Sequence, residues 1–450
     1  MADKLVLGSS PLGRLMVRLA LPSIFAQVVN ILYTLVDRVY IGHIKDASSH
    51  ALTGVGICFP VITLISAFSL FAGAGGAPLA AIELGKSEFD SDSRQEAHRI
   101  LGNACLMLLL FSVILTAFFE AFADPVLRAF GASDFTAGYA REYLKLYVAG
   151  TVFVQAAVGL NPFIVAQGHS RTAMLSTVIG AVLNILLDPL FIFVLGLGVK
   201  GAAIATVISQ GASALWVVLF LSSSRSSIRL RLCILKPRMQ TILRISSLGI
   251  SPFIMASTES AIFVVFNSGL QKYGGDIYVG AMTVMQSLSQ LLYVPVQGFT
   301  DGIQPAISYN YGARKISRVK SIIKRMTVIS FLVTFCFSAL ILVFRRNFAE
   351  VFTSSPQLIA LIEQLLPVYF GGTWLFGIQM AAQRTFVGLG KARISIFIAL
   401  LRKVVLLIPL ALILPRCIGV NGIFWAEPIA SVSSALTSFV MLIACYRTVR

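Results

Sequence analysis

What most limits the fold of this chain is the recurrence, from end to end, of apolar stretches long enough to cross about 30 Å of hydrocarbon, roughly 20 residues each. Twelve such stretches can be marked, at 15–42, 52–83, 99–122, 140–168, 171–196, 200–222, 243–270, 278–310, 320–345, 358–388, 392–415 and 421–446. They account for a composition that is 57% hydrophobic and only 12% charged, with a mean hydropathy of +0.86. Barrel strands would give weakly alternating segments of about ten residues, so continuous runs of this length leave only membrane-spanning helices.

The formal net charge of +17 would suit a nucleic-acid binder if the basic residues were pooled, but they are not. Most lie in alternate loops: Lys86, Arg94 and Arg99, then Arg225 to Arg244, then Arg314 to Arg325, and Arg447 with Arg450. Under the positive-inside rule this places both termini in the cytoplasm of a multi-pass plasma-membrane protein, and no nucleic-acid partner is expected. The six cysteines (58, 105, 233, 336, 417, 445) have no paired spacing and read as small hydrophobes. No cleaved signal peptide is expected from "MADKLVLGSSPLGRL". The loops are too short for a catalytic domain, and G-x-x-x-x-G-K-[ST] is absent. The chain is therefore not expected to be an enzyme or to carry a cofactor; an ion gradient, H⁺ or Na⁺, is the expected energy source.

One polar break, "SSSRSSIRLRLCILKPRMQ" at 222–240, divides the chain into two halves of six spans. The expected organisation is an N-lobe over 1–222, a cytoplasmic linker over 223–240 and a C-lobe over 241–450. Weak likeness links the halves: "LGVKGAAIAT" (197–206) answers "IGVNGIFWAE" (418–427), Pro78 and Gly85 answer Pro305 and Gly312, and Gly150-Thr151 answers Gly372-Thr373. Both halves enter from the same side, so the repeats are parallel and related by a pseudo-two-fold axis along the membrane normal.

Polar residues inside the spans mark where function lies, since each is costly in hydrocarbon. In the first span Ser23, Gln27, Asn30, Thr34 and Asp37 fall on one helical face. In the fifth, Asn184 and Asp188 are one turn apart, and Pro189 interrupts the backbone ladder beside the acid. At a rise of about 1.5 Å per residue, Asp37, Asp188 and Thr206 lie roughly 8, 12 and 9 Å below the outer ends of their spans. Two carboxyls, an amide and a hydroxyl at one level can take up a proton or hold a hard cation such as Na⁺. The alternatives are structural: Asp188 beside a helix break, and Asp37 paired with Arg38 at the interface. The eighth span carries Gln286, Gln290, Tyr293, Gln297, Asp301, Gln304 and Ser308 in one stripe, which suits a cavity wall or a helix seam joined by glutamines. Glu259 lies midway along the seventh span, while Arg402 and Lys403 lie ten residues into the eleventh and need partners, with Glu259 and Glu427 the candidates. Glu427 stands at the repeat position of Thr206.

The stretches "LPSIFAQVVNILYTLVDRVYIG" and "AQGHSRTAMLSTVIGAVLNILLDPLFIFVLGLGVKGAAIATVISQ" resemble the multidrug and toxic compound extrusion (MATE) family, and the likeness covers essentially the whole chain. It implies two six-helix lobes in a V around a central cavity, and a secondary active antiporter that exports organic cations in exchange for H⁺ or Na⁺ by alternating access. Carried over, Asp37, Asn184, Asp188 and Thr206 match the cation or proton site, a metal site only if the ion is Na⁺. Asn30, Tyr33 and Asn161 match residues lining the cavity, and Glu259 an acid that some members use. Phe376 stands where certain members have an aspartate, so a second-half Na⁺ site relying on that acid is not expected. The expected partners are small organic cations and membrane lipid, and the expected state is a monomer. The rival reading is a flippase for a lipid-linked oligosaccharide or other amphiphile, which would favour cationic residues in the cavity, making Arg384, Arg402 and Lys403 the residues to examine.

Overall fold

The computed structural model describes residues 4–44, 48–130, 132, 134–231, 236–353 and 355–448, and among them every regular element is helical. A short α1 (Lys4–Ser9) leads into α2 (Leu12–Gly42), α3 (Ser48–Lys86) and α4 (Ser91–Ala121). After α5 (Ala123–Ala129) come α6 (Asp134–Ala149), α7 (Thr151–Ala166), α8 (Ser170–Pro189) and α9 (Gly198–Ser222). The second half runs through α10 (Met239–Tyr273), α11 (Asp276–Gly312), α12 (Ile316–Val343), α13 (Arg345–Phe352), α14 (Pro356–Phe370) and α15 (Phe376–Gly388). It ends with α16 (Ala392–Leu400), α17 (Ile408–Ile418) and α18 (Asn421–Thr448). Ten spans are long and apolar enough to cross a membrane, and two bent pairs complete twelve: α6 with α7 at 58°, and α14 with α15 at 44°. The second stretch of the α14/α15 pair begins with a 3-10 turn at Thr373–Leu375.

The fourth and tenth spans are thus bent where continuous helices were expected, and both bends fall at the matched Gly-Thr pairs of the two repeats. The fifth and eleventh spans depart from a regular helix as well. After Pro189, which has no N–H to donate, the backbone continues as a π turn over Leu190–Val194; a second lies at Leu401–Leu407, between α16 and α17. The link into the last helix of each half needs a left-handed residue, supplied by Gly198 at φ 56° and Gly419 at φ 65°. These equivalences give the pseudo-two-fold relation between two six-helix bundles a structural basis.

Where apolar side chains are buried explains the V. One core cluster, running from Leu7 and Leu15 through Leu84, Ile100 and Phe163 to Ile307, Ile322 and Phe386, draws on both halves. It sits at the end that carries the basic loops. Two further cores each belong to one half: one around Ile41, Ile65, Leu144 and Ile192, the other around Phe266, Met285, Phe370 and Phe424. The halves are therefore joined at the basic end and part toward the other. In the joint, α3 packs on α10 and α11, and α2 packs on α11. The α3/α11 crossing is close enough that a Cβ on Gly85 would lie 2.0 Å from the Tyr309 carbonyl oxygen, and one on Gly312 would lie 2.0 Å from that of Ile82. Such approach between small residues is how membrane helices gain contact in a solvent that offers no hydrophobic drive.

Candidate functional site

In the first half the turn at Gly198 folds α9 back along α8, which brings Thr206 level with Asn184. The Asn184 amide donates to Asp188 Oδ1 at 3.2 Å and to Thr206 Oγ1 at 3.4 Å, while the Thr206 hydroxyl donates to the Ala202 carbonyl at 2.9 Å. Asp188 is fully buried, and its carboxyl lies close to that of Asp37 from α2. Two carboxylates this close in a buried site repel each other when both are charged. The Asn184 carbonyl oxygen is buried without a hydrogen-bond partner among the described residues. All four expected members thus come together.

Two tyrosines complete the cluster, and sequence reasoning did not find them. Tyr143 lies near Thr206 and Asp37; Tyr147 stacks on Tyr143 with centroids 6.1 Å apart and lies near Tyr33. Their spacing of one turn in α6 looks like an ordinary core stripe. The available signal was that a phenol hydroxyl inside a span needs a partner. Among the described residues no group of three or more His, Cys, Asp or Glu could hold a metal ion. Two acids with an amide and a hydroxyl suit a proton or a monovalent hard cation better than a transition metal.

A cavity of about 650 Å³ lies between the halves, within the range that holds a drug-sized molecule. Asn30, Tyr33, Asn161, Glu259 and Gln297 stand in its wall, as expected, and so do Asn184 and Thr206, which were expected only in the ion site. Asp37 and Asp188 do not; Asn184, which bonds to Asp188, links the acids to the wall. Gln286 and Gln290 also lie outside the wall, Gln290 being exposed instead. Only the part of the α11 stripe from Gln297 onward, with Asp301, Gln304 and Ser308, faces the cavity. Asn161 is held by a donated bond to Ser176 Oγ at 2.5 Å.

The second half holds a different cluster. Arg402 donates to Glu427 at 2.7 Å, and Lys403 to Glu259 at 2.6 Å and to the Met255 carbonyl at 2.6 Å. The guanidinium of Arg402 also sits 4.9 Å from the centroid of Phe376, the residue replacing the expected acid, and Tyr293 packs on that ring at 4.0 Å. Arg384 reaches Asp301 at 2.6 Å. The two basic residues that lacked partners in the sequence thus share the two candidate acids. Asp301, from the polar stripe of the eighth span, thus pairs within the cavity wall.

Known proteins agree with this arrangement. The MatE family model matches residues 22–190 and again 252–413, once on each half. The multidrug export protein MepA of Staphylococcus aureus strain NCTC 8325 is 25% identical over 434 residues, covering 96% of this chain and 94% of its own. MepA of Staphylococcus haemolyticus is 25% identical with the same coverage. Among solved structures, a MATE protein in a bent conformation superposes with a TM-score of 0.91 at 23% identity, covering 100% of this chain and 98% of that one. An outward-facing multidrug resistance MATE transporter of the MOP superfamily superposes with a TM-score of 0.89 at 24% identity, covering 100% and 99%. With its two matched halves, its twelve spans and a cavity between two bundles, this chain belongs to the MatE family of multi-pass membrane transport proteins, the MATE family that its first and fourth to sixth spans resemble.

Proposed function

We propose that this protein exports organic cations across the plasma membrane by alternating access, in exchange for H⁺ or Na⁺. The observation that carries the reading is the proximity of the Asp37 and Asp188 carboxyls, bridged through Asn184 to a drug-sized cavity. With the proton gone, the cluster holds two negative charges in low dielectric, which favours uptake of a cation or a rearrangement that solvates them. With a proton or Na⁺ bound, the repulsion is relieved. Asn184 bonds to Asp188 and to Thr206, and both Asn184 and Thr206 line the cavity, so a change in the cluster's charge is felt at the cargo wall. A bound ion can shift the equilibrium between two states only by its difference in affinity for them, so cargo and ion must couple through these residues. Na⁺ would be held by the two carboxylates, the free Asn184 carbonyl oxygen and the Thr206 hydroxyl. With the joined end read as cytoplasmic from its basic loops, the V is an outward-open state. The name of the MepA relatives, multidrug export protein, supports the drug reading.

The flippase reading has less support. It needs cations free to meet an anionic headgroup, whereas Arg384, Arg402 and Lys403 each face a carboxylate. The test is drug efflux from proteoliposomes under an imposed pH or Na⁺ gradient. Asp37→Asn and Asp188→Asn are expected to abolish accumulation against the drug's gradient, and the parent's response to one gradient and not the other names the ion. If both variants still concentrate drug, this site does not drive transport.

A further inference from the structure

The two ion pairs in the cavity wall have the same orientation: acid in front, base behind. Lys403 is buried, with 6% of its side chain exposed, whereas the Glu259 side chain is 66% exposed; Arg384 and Asp301 show the same order at 13% and 30%. Arg402 and Glu427, at 9% and 6%, are sealed away from cargo. The wall thus balances its charges and still presents negative ends to the cavity. Coulomb attraction falls with distance, so a cation in the cavity meets the carboxylates before their partners. Beside Glu259, Met255 and Met380 stand in the same wall, and Met380 packs into a cluster with Phe376 and Tyr293. Polarisable thioethers and aromatic rings suit a bulky, charge-delocalised cation.

We propose that Lys403 is a tethered competitor of cationic cargo, occupying the cavity-facing Glu259 carboxylate when the cavity is empty. This deepens the export reading and rests on it for the class of cargo. The ammonium of Lys403 leaves the Glu259 carboxylate when a lipophilic cation arrives, and keeps the Met255 carbonyl as an acceptor. A delocalised cation is more weakly hydrated than an ammonium, so it loses less on entering the cavity. Lys403 then sets a threshold: weakly held cations fail to displace it, and the carboxylate is never left bare in the apolar wall. Selectivity of this kind uses a repulsive element, the lysine's own charge, as much as an attractive one.

The experiment is equilibrium binding to purified protein with no gradient, which keeps its result separate from failure of antiport. The probes are tetraphenylphosphonium and tetraphenylborate, nearly identical in shape and opposite in charge. Lys403→Met is expected to tighten tetraphenylphosphonium binding by roughly 5- to 150-fold, the span of ordinary coupling between sites, and to weaken tetraphenylborate binding. Glu259→Gln is expected to weaken the cation, and Lys403→Met/Glu259→Gln to lose the gain of the single variant. A lysine that only supports the fold would move both probes in one direction, and that result overturns the proposal. So does unchanged cation binding in folded Lys403→Met, or a gain that survives the loss of Glu259.

Discussion

Asn184 ties the first-half cluster together, because one amide nitrogen reaches both Asp188 and Thr206 while its carbonyl oxygen stays buried and unpaired. A buried acceptor without a donor costs about 1–3 kcal/mol, a cost that serves function when the oxygen meets a transported ion. Asn184→Leu is therefore expected to leave the thermal midpoint unchanged or higher while cutting gradient-driven efflux by about 10-fold or more; a variant that loses stability and keeps transport would show the amide to be structural. The Arg402–Glu427 pair gives the converse case. Removing one member of a buried pair costs about 3–5 kcal/mol, and replacing both with apolar residues is often neutral. Thermal unfolding should thus place Arg402→Met well below Arg402→Met/Glu427→Leu, and equal midpoints would mean the pair is not sealed. The polar spacing of α2 and α8 made the first cluster legible in the sequence. The division of two bases between two acids was not, because spacing along a helix gives no distance between helices, and Tyr143 with Tyr147 wore the pattern of ordinary core.

Among the elements, the bends in the fourth and tenth spans show how much of the architecture the repeats encode. The Gly-Thr match located both sites, yet the likeness alone could not say that the helix breaks there, since a glycine inside a span is equally compatible with close packing. The π turns were hidden more deeply: Pro189 signalled a lost hydrogen bond in the fifth span, but Leu401–Leu407 contains neither proline nor glycine. The start of α4 is an element whose pH behaviour can be worked out. Asp90 precedes the helix and accepts from the Ser93 hydroxyl at 2.8 Å and the Asp92 amide at 3.0 Å, and these bonds, the Ser93 hydroxyl foremost, hold its carboxyl below the usual carboxylate range. A folded-state value below the unfolded one means the cap contributes fully above the ordinary range and fades as pH falls through the folded value. Asp90→Ala is accordingly expected to lower the thermal midpoint by the same amount at pH 6 and pH 8, the gap to the parent closing only below roughly pH 4. A gap that widened in acid would contradict the capping role.

For the whole molecule, the decisive contrast is between one shared core at the basic end and two separate cores beyond it. Twelve spans and their charge rhythm were readable from hydropathy, whereas the V was only implied by the family resemblance, because hydropathy does not say which apolar faces meet. Opening the joined end requires breaking the α3/α11 crossing and the ion pairs around it. Lys315 bonds to Glu88, which also accepts from the Tyr309 hydroxyl at 2.8 Å, and Arg244 bridges to Glu83 and Glu96. Removing the bases leaves no bare acid: Glu88 keeps Tyr309, Glu83 keeps Lys86 and Glu96 keeps Arg99. Partly exposed pairs contribute about 0.2–1 kcal/mol each, so losing these three in Lys315→Met/Arg244→Met should move the balance between the two openings by roughly 3- to 160-fold toward the state open at the basic end. Spin-label distances across that end, taken in nanodiscs at low salt, measure the shift. High salt should reproduce part of it in the parent, since screening weakens the same pairs. If the double variant leaves the distance distribution unchanged, the glycine crossing alone holds the joined end closed. Gly85→Leu, whose side chain cannot fit against the Tyr309 carbonyl, should then produce the shift that the charge variants do not.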